Sequence, residues 1–266
     1  MHMYKSSKTR NIIMKLMYDG TNYNGWQRLR NKNDGSVTIQ GLLEETLSAL
    51  LNEAIQVIGS GRTDAGVHAL QQVCNFHTLS GWTTKELRKE LNARLPMDIR
   101  VLTLEEGLQN FHARYDAVSK VYEYRIDIRE RESVFTRKYA YPNQKDLNLD
   151  DMKKAAHFLI GKHDFKAFST DRRDLKSTVR TIQDINIYRV HDRDKAEVRI
   201  ECKGDGFLHH MIRIIAGTLV EVGNGSRAIE SVQIALTSRK RCNAGTLLYP
   251  QGLFLKQVNY EPLIRV

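Results

Sequence analysis

The glycine-rich stretch Gly59–Ala69, GSGRTDAGVHA, constrains the fold of this chain more than any other feature. An apolar run precedes it at 54–58 and another overlaps its end at 67–76, so the pattern predicts a strand on each side. Its three glycines allow the backbone to adopt positive φ or to approach a ligand closely. The stretch is therefore predicted to be a tight connection between two strands.

Within this connection, a cation, a hydroxyl and a carboxylate stand on consecutive residues, Arg62, Thr63 and Asp64. Neighbours in an extended chain point to opposite sides, so Arg62 and Asp64 can face the same side. The plainer interpretation is a turn whose aspartate caps a backbone amide; the alternative is a catalytic carboxylate. A phosphate-binding loop is excluded because Val67 and His68 stand where it needs Lys and Ser/Thr, and the third glycine of a dinucleotide turn is missing.

The charge balance of the chain indicates a polyanionic partner. The 266 residues carry a formal net charge of +10, which favours nucleic acid, although some soluble proteins are simply basic. The cations cluster at Arg28–Lys32, Arg125–Arg131, Arg137–Lys138, Arg172–Arg173 and Arg239–Arg241. Because such clusters alternate with aromatic residues, nucleic acid is the predicted partner.

Several classes of protein are excluded by what the sequence lacks. No apolar run approaches the roughly 20 residues of a membrane helix, and Met1–Arg10 is polar and basic, unlike a secretory signal. The three cysteines are far apart without a CxxC pair, so neither disulfides nor a zinc site is predicted. Adjacent histidines on a helix point in different directions, so His209–His210 predicts no metal site. We expect a cytoplasmic protein without membrane association.

Hydrophobic periodicity predicts strands and helices in mixed order. The predicted strands are 11–18, 54–58, 67–76, 118–128, 178–190, 196–202 and 252–255, and the predicted helices are 36–52, 83–96, 149–160, 207–222 and 229–236. Hairpins as well as helices join the strands, which predicts an α+β (mixed α/β) fold with antiparallel-rich sheets. We expect an N-terminal α/β domain over 8–117, carrying the glycine-rich connection, and a C-terminal α/β domain over 118–262.

The helix predicted at 207–222 is apolar on nearly all sides and should be buried, yet it contains Arg213. Removing a guanidinium from water costs several kcal/mol, so a buried arginine needs a partner. We predict that the partner is Asp64. In the alternative, Arg213 reaches solvent along the thinnest apolar flank of the helix.

The segment Gly61–Ala69 resembles the signature of the tRNA pseudouridine synthase A family. Further similar blocks are YDGTNYNGWQ (18–27), NARLPMDI (92–99), FHAR (111–114), KVYEY (120–124), GFLHHMIR (206–213) and GTL (217–219). The resemblance extends over about residues 11–255. It departs at 246–253, where TLLYPQGL replaces the family's Pro-rich segment, and this leaves the fine substrate specificity open.

The resemblance implies a pseudouridine synthase fold with two similar domains, a basic cleft between them and a homodimer. It implies isomerisation of uridine to pseudouridine in RNA, usually tRNA, at uridines of the anticodon stem-loop (nominally positions 38 to 40). No cofactor is expected, because atoms are only rearranged, and the residue patterns described above predict neither a nucleotide nor a metal. The alternatives are the same chemistry on another RNA, such as rRNA, and a non-catalytic RNA-binding module.

The resemblance also implies roles for individual residues. Asp64 would be the nucleophile, at C1′ of the ribose or C6 of the base, or it would act as a base on the ribose. Arg213 would pair with Asp64 and hold it ionised. Arg62 would contact phosphate or take the place of the extruded base.

Two further blocks supply candidate substrate-binding residues. Tyr122 would stack on the uracil, whereas Tyr124, on the same face of the predicted strand, is interpreted as core. His112 and Arg114 are candidate RNA contacts, and an ordinary surface loop is the equal alternative for both.

Overall fold

A computed structural model describes residues 5–29, 36–129, 134–171, 177–192 and 195–261 of the chain. Residues 30–32, 130–131 and 172–173 of the predicted basic clusters lie outside the described residues. Within the described ranges, no helix combines the length and the hydrophobicity that a membrane-spanning segment requires.

The chain forms two compact units. The first contains the described residues within Met1–Val118 and Leu255–Val266, and the second contains those within Ser119–Phe254. The strand β10 (Leu253–Tyr260) begins in the second unit and ends in the first.

The first unit is an antiparallel sheet with two helices. Its elements are β1 (Lys5–Tyr18), α1 (Ile39–Leu51), β2 (Ile58–Gly59), β3 (His68–Ser80), α2 (Thr84–Arg94) and β4 (Ile99–Gly107). The central strand β1 pairs antiparallel with β3 on one side and β4 on the other. Alternate residues of β1 and the apolar faces of both helices are buried: Ile12, Met14, Leu16, Leu43, Leu47, Leu87 and Leu91. Burial of this apolar surface stabilises the unit.

Local signals set the ends of these helices. The Thr83 hydroxyl accepts from the Glu86 backbone N–H, and the Glu86 carboxylate accepts from the Thr83 backbone N–H, so the two residues form a capping box at the start of α2. The helix α1 is shorter than predicted, because Thr38 caps its start and Asn52 takes a left-handed conformation at its end.

The second unit is also antiparallel-rich. Its elements are β5 (Ala117–Asp127), β6 (Tyr141–Pro142), α3 (Leu149–His157), β7 (Gly161–Asp164), β8 (Val179–Asp192), β9 (Lys195–Gly204), α4 (Met211–Gly223) and α5 (Ser231–Ser238). The strands lie in the order β5-β9-β8-β7 with antiparallel pairing throughout, and β6 lies parallel to β5. Together the two units confirm the predicted α+β class.

The helix α4 forms the centre of this unit and packs against α3. Every residue of α4 except Glu221 is buried, as its sequence pattern predicts. It begins four residues later than the predicted 207, because His210 has a φ of 63° and interrupts the helical backbone before Met211.

The carboxylates of β5, which alternate with its tyrosines, are buried. Glu123 and Asp127 are 1% and 6% exposed. The Glu123 carboxylate lies 2.7 Å from Arg125 Nε, and Asp127 is paired with Arg129. The guanidinium of Arg125 in turn stacks 3.8 Å from the ring centroid of Phe254. Long cationic side chains therefore cover carboxylates that alternation alone would place in solvent.

Candidate active site

The loop that carries Asp64 is fixed by the preceding loop, 19–27. Gly25 has a φ of 84°, and a Cβ there would lie 2.5 Å from the Thr63 carbonyl oxygen. The Trp26 N–H donates to that same oxygen at 3.0 Å, and the Gly66 N–H donates to the Tyr23 oxygen at 3.3 Å. Two motifs that are distant in sequence thus form one rigid backbone assembly.

The side chains at 62–64 alternate as predicted. Thr63 is buried, and its hydroxyl lies 2.9 Å from the Tyr18 hydroxyl, whereas Arg62 is exposed and Asp64 is partly exposed. Burial raises the pKa of Tyr18, so its phenol stays protonated and available as a donor. The Gln72 amide donates to the Gly61 oxygen at 3.0 Å. Polar contacts on the buried side of the loop therefore fix its backbone, while the side chains of Arg62 and Asp64 face outward.

The loop 19–27 has an anchor of its own. His68 Nδ1 accepts from the Gly20 N–H at 3.0 Å and lies 3.1 Å from an Asp19 carboxylate oxygen. A Cβ at Gly20 would lie 2.0 Å from the Val67 oxygen, so only glycine fits there. The histidine of the GVHA segment, to which sequence analysis gave no role, thus positions the neighbouring loop.

Tyr122 lies in the second unit on β5, opposite Cys202 of β9. It is 7% exposed, and its ring meets Phe207 edge-on at a centroid distance of 5.3 Å. Tyr124, two residues on, is fully buried and donates its hydroxyl to the Tyr249 oxygen at 2.7 Å. This confirms the interpretation of Tyr124 as a core residue.

Arg213 lies in the first turn of α4 and is 8% exposed, so the alternative in which it reaches solvent is wrong. Its Nε–H donates to the Leu248 oxygen at 2.7 Å. The predicted ion pair with Asp64 joins residues of different units and stays a prediction.

The carbonyl that holds Arg213 belongs to the 246–250 segment, where the sequence departs from the family pattern. A Cβ at Gly217 would lie 1.9 Å from the Thr246 oxygen, so the segment passes directly over α4. Glu221 accepts from the Thr246 N–H and hydroxyl at 2.8 and 2.6 Å. Sequence analysis assigned this segment to specificity and missed its structural role, because backbone carbonyls carry no sequence signal.

Glu221 makes this attachment pH-dependent. Burial raises its pKa, but hydrogen bonds from Thr246 and Arg227 outweigh burial, so the pKa lies below its ordinary value. A depressed folded-state pKa means that ionised Glu221 stabilises the fold above the unfolded-state pKa of about 4.3, and this contribution is lost as pH falls through the folded-state pKa.

We therefore expect Glu221→Gln to lower the free energy of unfolding at pH 7 by about 1 kcal/mol, because it removes the charge of the pair with Arg227. The difference from wild type should vanish at a pH below the folded-state pKa of Glu221, where the wild-type carboxyl is protonated and, like glutamine, uncharged. Urea denaturation at the two pH values measures it. Glu105→Gln, at an exposed position on β4, is the control and should change stability by less than about 0.5 kcal/mol. A difference that persists at low pH would contradict the electrostatic origin.

The pair His209–His210 corrects one premise of the sequence analysis. The two residues precede α4 rather than lying on it, and their rings stack at a centroid distance of 3.6 Å instead of pointing apart. Their Nδ1 atoms lie 3.0 and 2.6 Å from the Thr170 hydroxyl. The absence of a bound metal stays a prediction.

His112 and Arg114 lie in a compact surface turn of the first unit. His112 Nδ1 accepts from the backbone N–H groups of Arg114 and Tyr115 at 3.2 and 3.3 Å. The His112 and Tyr115 rings lie 4.2 Å apart, and the Arg114 guanidinium lies 5.8 Å from the Tyr115 ring centroid. Tyr115, which sequence analysis missed, is 75% exposed and completes an aromatic and cationic cluster.

Comparison with known proteins finds a matching family model and several similar proteins. A family model described as tRNA pseudouridine synthase matches residues 15–116 and 155–261. The chain is 44% identical over 252 residues to tRNA pseudouridine synthase A 2 of Clostridium tetani, covering 95% of this chain and 99% of that protein. It is 41% identical over 251 residues to tRNA pseudouridine synthase A of Clostridium botulinum, covering 94% and 100%. It is 39% identical over 250 residues to tRNA pseudouridine synthase A 2 of Bacillus anthracis, covering 94% and 99%.

Proposed function

Because the chain belongs to the tRNA pseudouridine synthase family, we propose that it isomerises uridine to pseudouridine in tRNA, at nominal positions 38 to 40 of the anticodon stem-loop. The observation that carries the proposal is the partly exposed Asp64 carboxylate, presented on a backbone that Gly25, Trp26 and Thr63 hold rigid. Rigid presentation of a reacting group is what catalysis at a fixed carbon atom requires.

The reaction exchanges one bond for another. The C1′–N1 bond breaks, the uracil turns over, and a C1′–C5 bond forms; C5 loses its proton and N1 gains one, so no cofactor is consumed. Asp64 serves as nucleophile at C1′ or C6, or as the base that removes a ribose proton after glycosidic cleavage. An ionised carboxylate in a sheltered position suits each role.

The other residues of the site bind the substrate or hold the reacting groups in place. Tyr122 stacks on the uracil, and its edge-on contact with Phe207 supports this role because it fixes the plane of the phenol ring. Arg213, buried in α4, keeps Asp64 ionised. Arg62 is exposed and therefore able to contact phosphate or to fill the space that the extruded base leaves.

The target base must leave its helical stack, at a cost of a few kcal/mol. Contacts between cations and phosphates offset that cost. His112 and Arg114 contribute to them, and the exposed Tyr115 ring beside them offers a surface on which an RNA base can stack. The division into domains at 8–117 and 118–262, the basic cleft, the homodimer, the cytoplasmic location and the lack of a nucleotide cofactor belong to the same proposal.

A second candidate function is the same chemistry on another RNA, such as rRNA. The 246–250 segment favours it, because Tyr249 stands 63% exposed where the family pattern is Pro-rich.

Incubation of the purified protein with unmodified tRNA and with rRNA, followed by mapping of pseudouridine, separates the two functions. We expect product in tRNA at positions 38 to 40 and none in a control tRNA that carries cytidine at those positions. Product in rRNA alone would contradict the first function and support the second candidate. Product in neither RNA would contradict both.

A further inference from the structure

The first unit carries a shallow groove between α2 and β4. Its charged lining consists of Lys85, Arg88 and Lys89 on α2, Arg100 on β4 and Glu86. All five side chains are exposed, and four cations against one carboxylate give the groove a net charge of +3.

The carboxylate in the groove is already engaged. Glu86 accepts hydrogen bonds from the Thr83 hydroxyl at 2.7 Å and from the Thr83 backbone N–H at 3.2 Å. These bonds lower the pKa of Glu86, so it stays ionised as part of the helix cap. The cations of the groove therefore keep a net excess of charge toward solvent, and an anionic ligand is the partner they fit.

The groove is rigid, because side-chain hydrogen bonds tie the helix to the strand. Asn92 donates to the Val101 oxygen at 2.9 Å and accepts from the Val101 N–H at 2.8 Å. Arg88 donates to the Leu102 oxygen at 2.8 Å. With Leu87 and Leu91 buried beneath, the backbone spacing between α2 and β4, from which the cations project, is fixed before any ligand binds.

Hydrogen bonds connect the start of β4 to the loop 19–27, which in turn contacts the loop that carries Asp64. The strand β4 begins beside Asp98, whose carboxylate accepts from the Tyr23 hydroxyl at 2.5 Å and whose backbone oxygen accepts from the Asp19 N–H at 2.9 Å. Tyr23 in turn accepts from the Gly66 N–H. Arg100 thus lies two residues after Asp98, which is hydrogen-bonded to the loop 19–27. That loop also holds the backbone around Asp64.

We propose that this groove binds the phosphate backbone of the substrate RNA, beyond the nucleotide that reacts. The inference rests on the proposed function and extends it to a second contact region. Cations spread along a helix and a strand suit successive phosphates of a chain, and they read no base identity. Such contacts add affinity that depends on salt, without entering the chemical step.

The test is the triple variant Lys85→Gln, Lys89→Gln, Arg100→Gln, which spares Arg88 because Arg88 holds the Leu102 carbonyl. We expect the Kd for full-length tRNA to rise about tenfold at about 0.1 M salt. The slope of log K against log salt should fall by about 2 to 3, since each lost phosphate contact removes about 0.9. The rate at saturating tRNA should stay within about twofold.

The matched control removes the same charge elsewhere, through Lys153→Gln, Lys154→Gln and Lys162→Gln in the second unit, all exposed. Its Kd should stay within about twofold of wild type. A groove variant that binds tRNA with the wild-type Kd and slope would overturn the inference. So would a control variant whose Kd rises as much as that of the groove variant. Failure of the proposed function would look different, because wild type itself would then form no pseudouridine.

Discussion

Replacing Asp64 with asparagine is expected to lower the rate of pseudouridine formation by at least about a thousandfold, while the Kd for tRNA stays within about threefold of wild type. An amide has nearly the shape of a carboxylate, but it is a poor nucleophile and a poor base. In the turn of this loop, the Val67 N–H donates to the Asp64 backbone oxygen at 3.1 Å, and asparagine retains that oxygen. The substitution should therefore remove chemistry and leave the loop intact. Release of tritium from C5 of labelled uridine in a single turnover measures the rate.

Two comparisons make that result interpretable. Asp205→Asn, at an exposed carboxylate that accepts from the Thr181 N–H, is the control and should retain wild-type activity. An Asp64→Asn protein that binds tRNA normally and forms no product rules out a non-catalytic RNA-binding module. An Asp64→Asn protein with activity within about tenfold of wild type would instead show that the carboxylate takes no part in the reaction.

Features governed by local rules could be predicted from the sequence. The alternation of Arg62, Thr63 and Asp64 follows from extended backbone geometry, and the exposed, buried and partly exposed states of the three residues match it. The cap of α2 follows from Thr83 and Glu86, which stand three residues apart. In both cases the determining atoms lie within one turn of the chain.

Features governed by backbone conformation or by distant contacts could not be predicted in this way. Hydrophobicity extended α4 back to Phe207, because it does not report the positive φ of His210. The burial of Glu123 could not be predicted, because alternation does not show that Arg125 covers it. The oxygen that holds Arg213 lies 35 residues away and belongs to a leucine, a residue type with no polar side chain to suggest the contact.

Replacing Arg213 with methionine is expected to cost both stability and activity. Methionine fits an apolar helix, but it leaves the buried Leu248 oxygen without its donor, which costs about 1–3 kcal/mol in the free energy of unfolding. The rate should fall by about a hundredfold or more if Arg213 is the cationic partner that we propose for Asp64. Arg213→Lys separates the two effects: it retains a cation but cannot place a planar Nε–H on the Leu248 oxygen. We expect Arg213→Lys to be intermediate in both rate and stability.

A double-mutant cycle tests whether Arg213 acts through Asp64. If the two side chains pair, each single substitution leaves the other charge without its partner, so the stability losses of Asp64→Asn and Arg213→Met should fall short of additivity by at least about 1 kcal/mol. The double variant should be no slower than Asp64→Asn alone, because Arg213 has nothing left to activate once the carboxylate is gone. Additive losses in both stability and rate would contradict the pair. They would assign Arg213 a separate role, confined to fixing the 246–250 segment over α4.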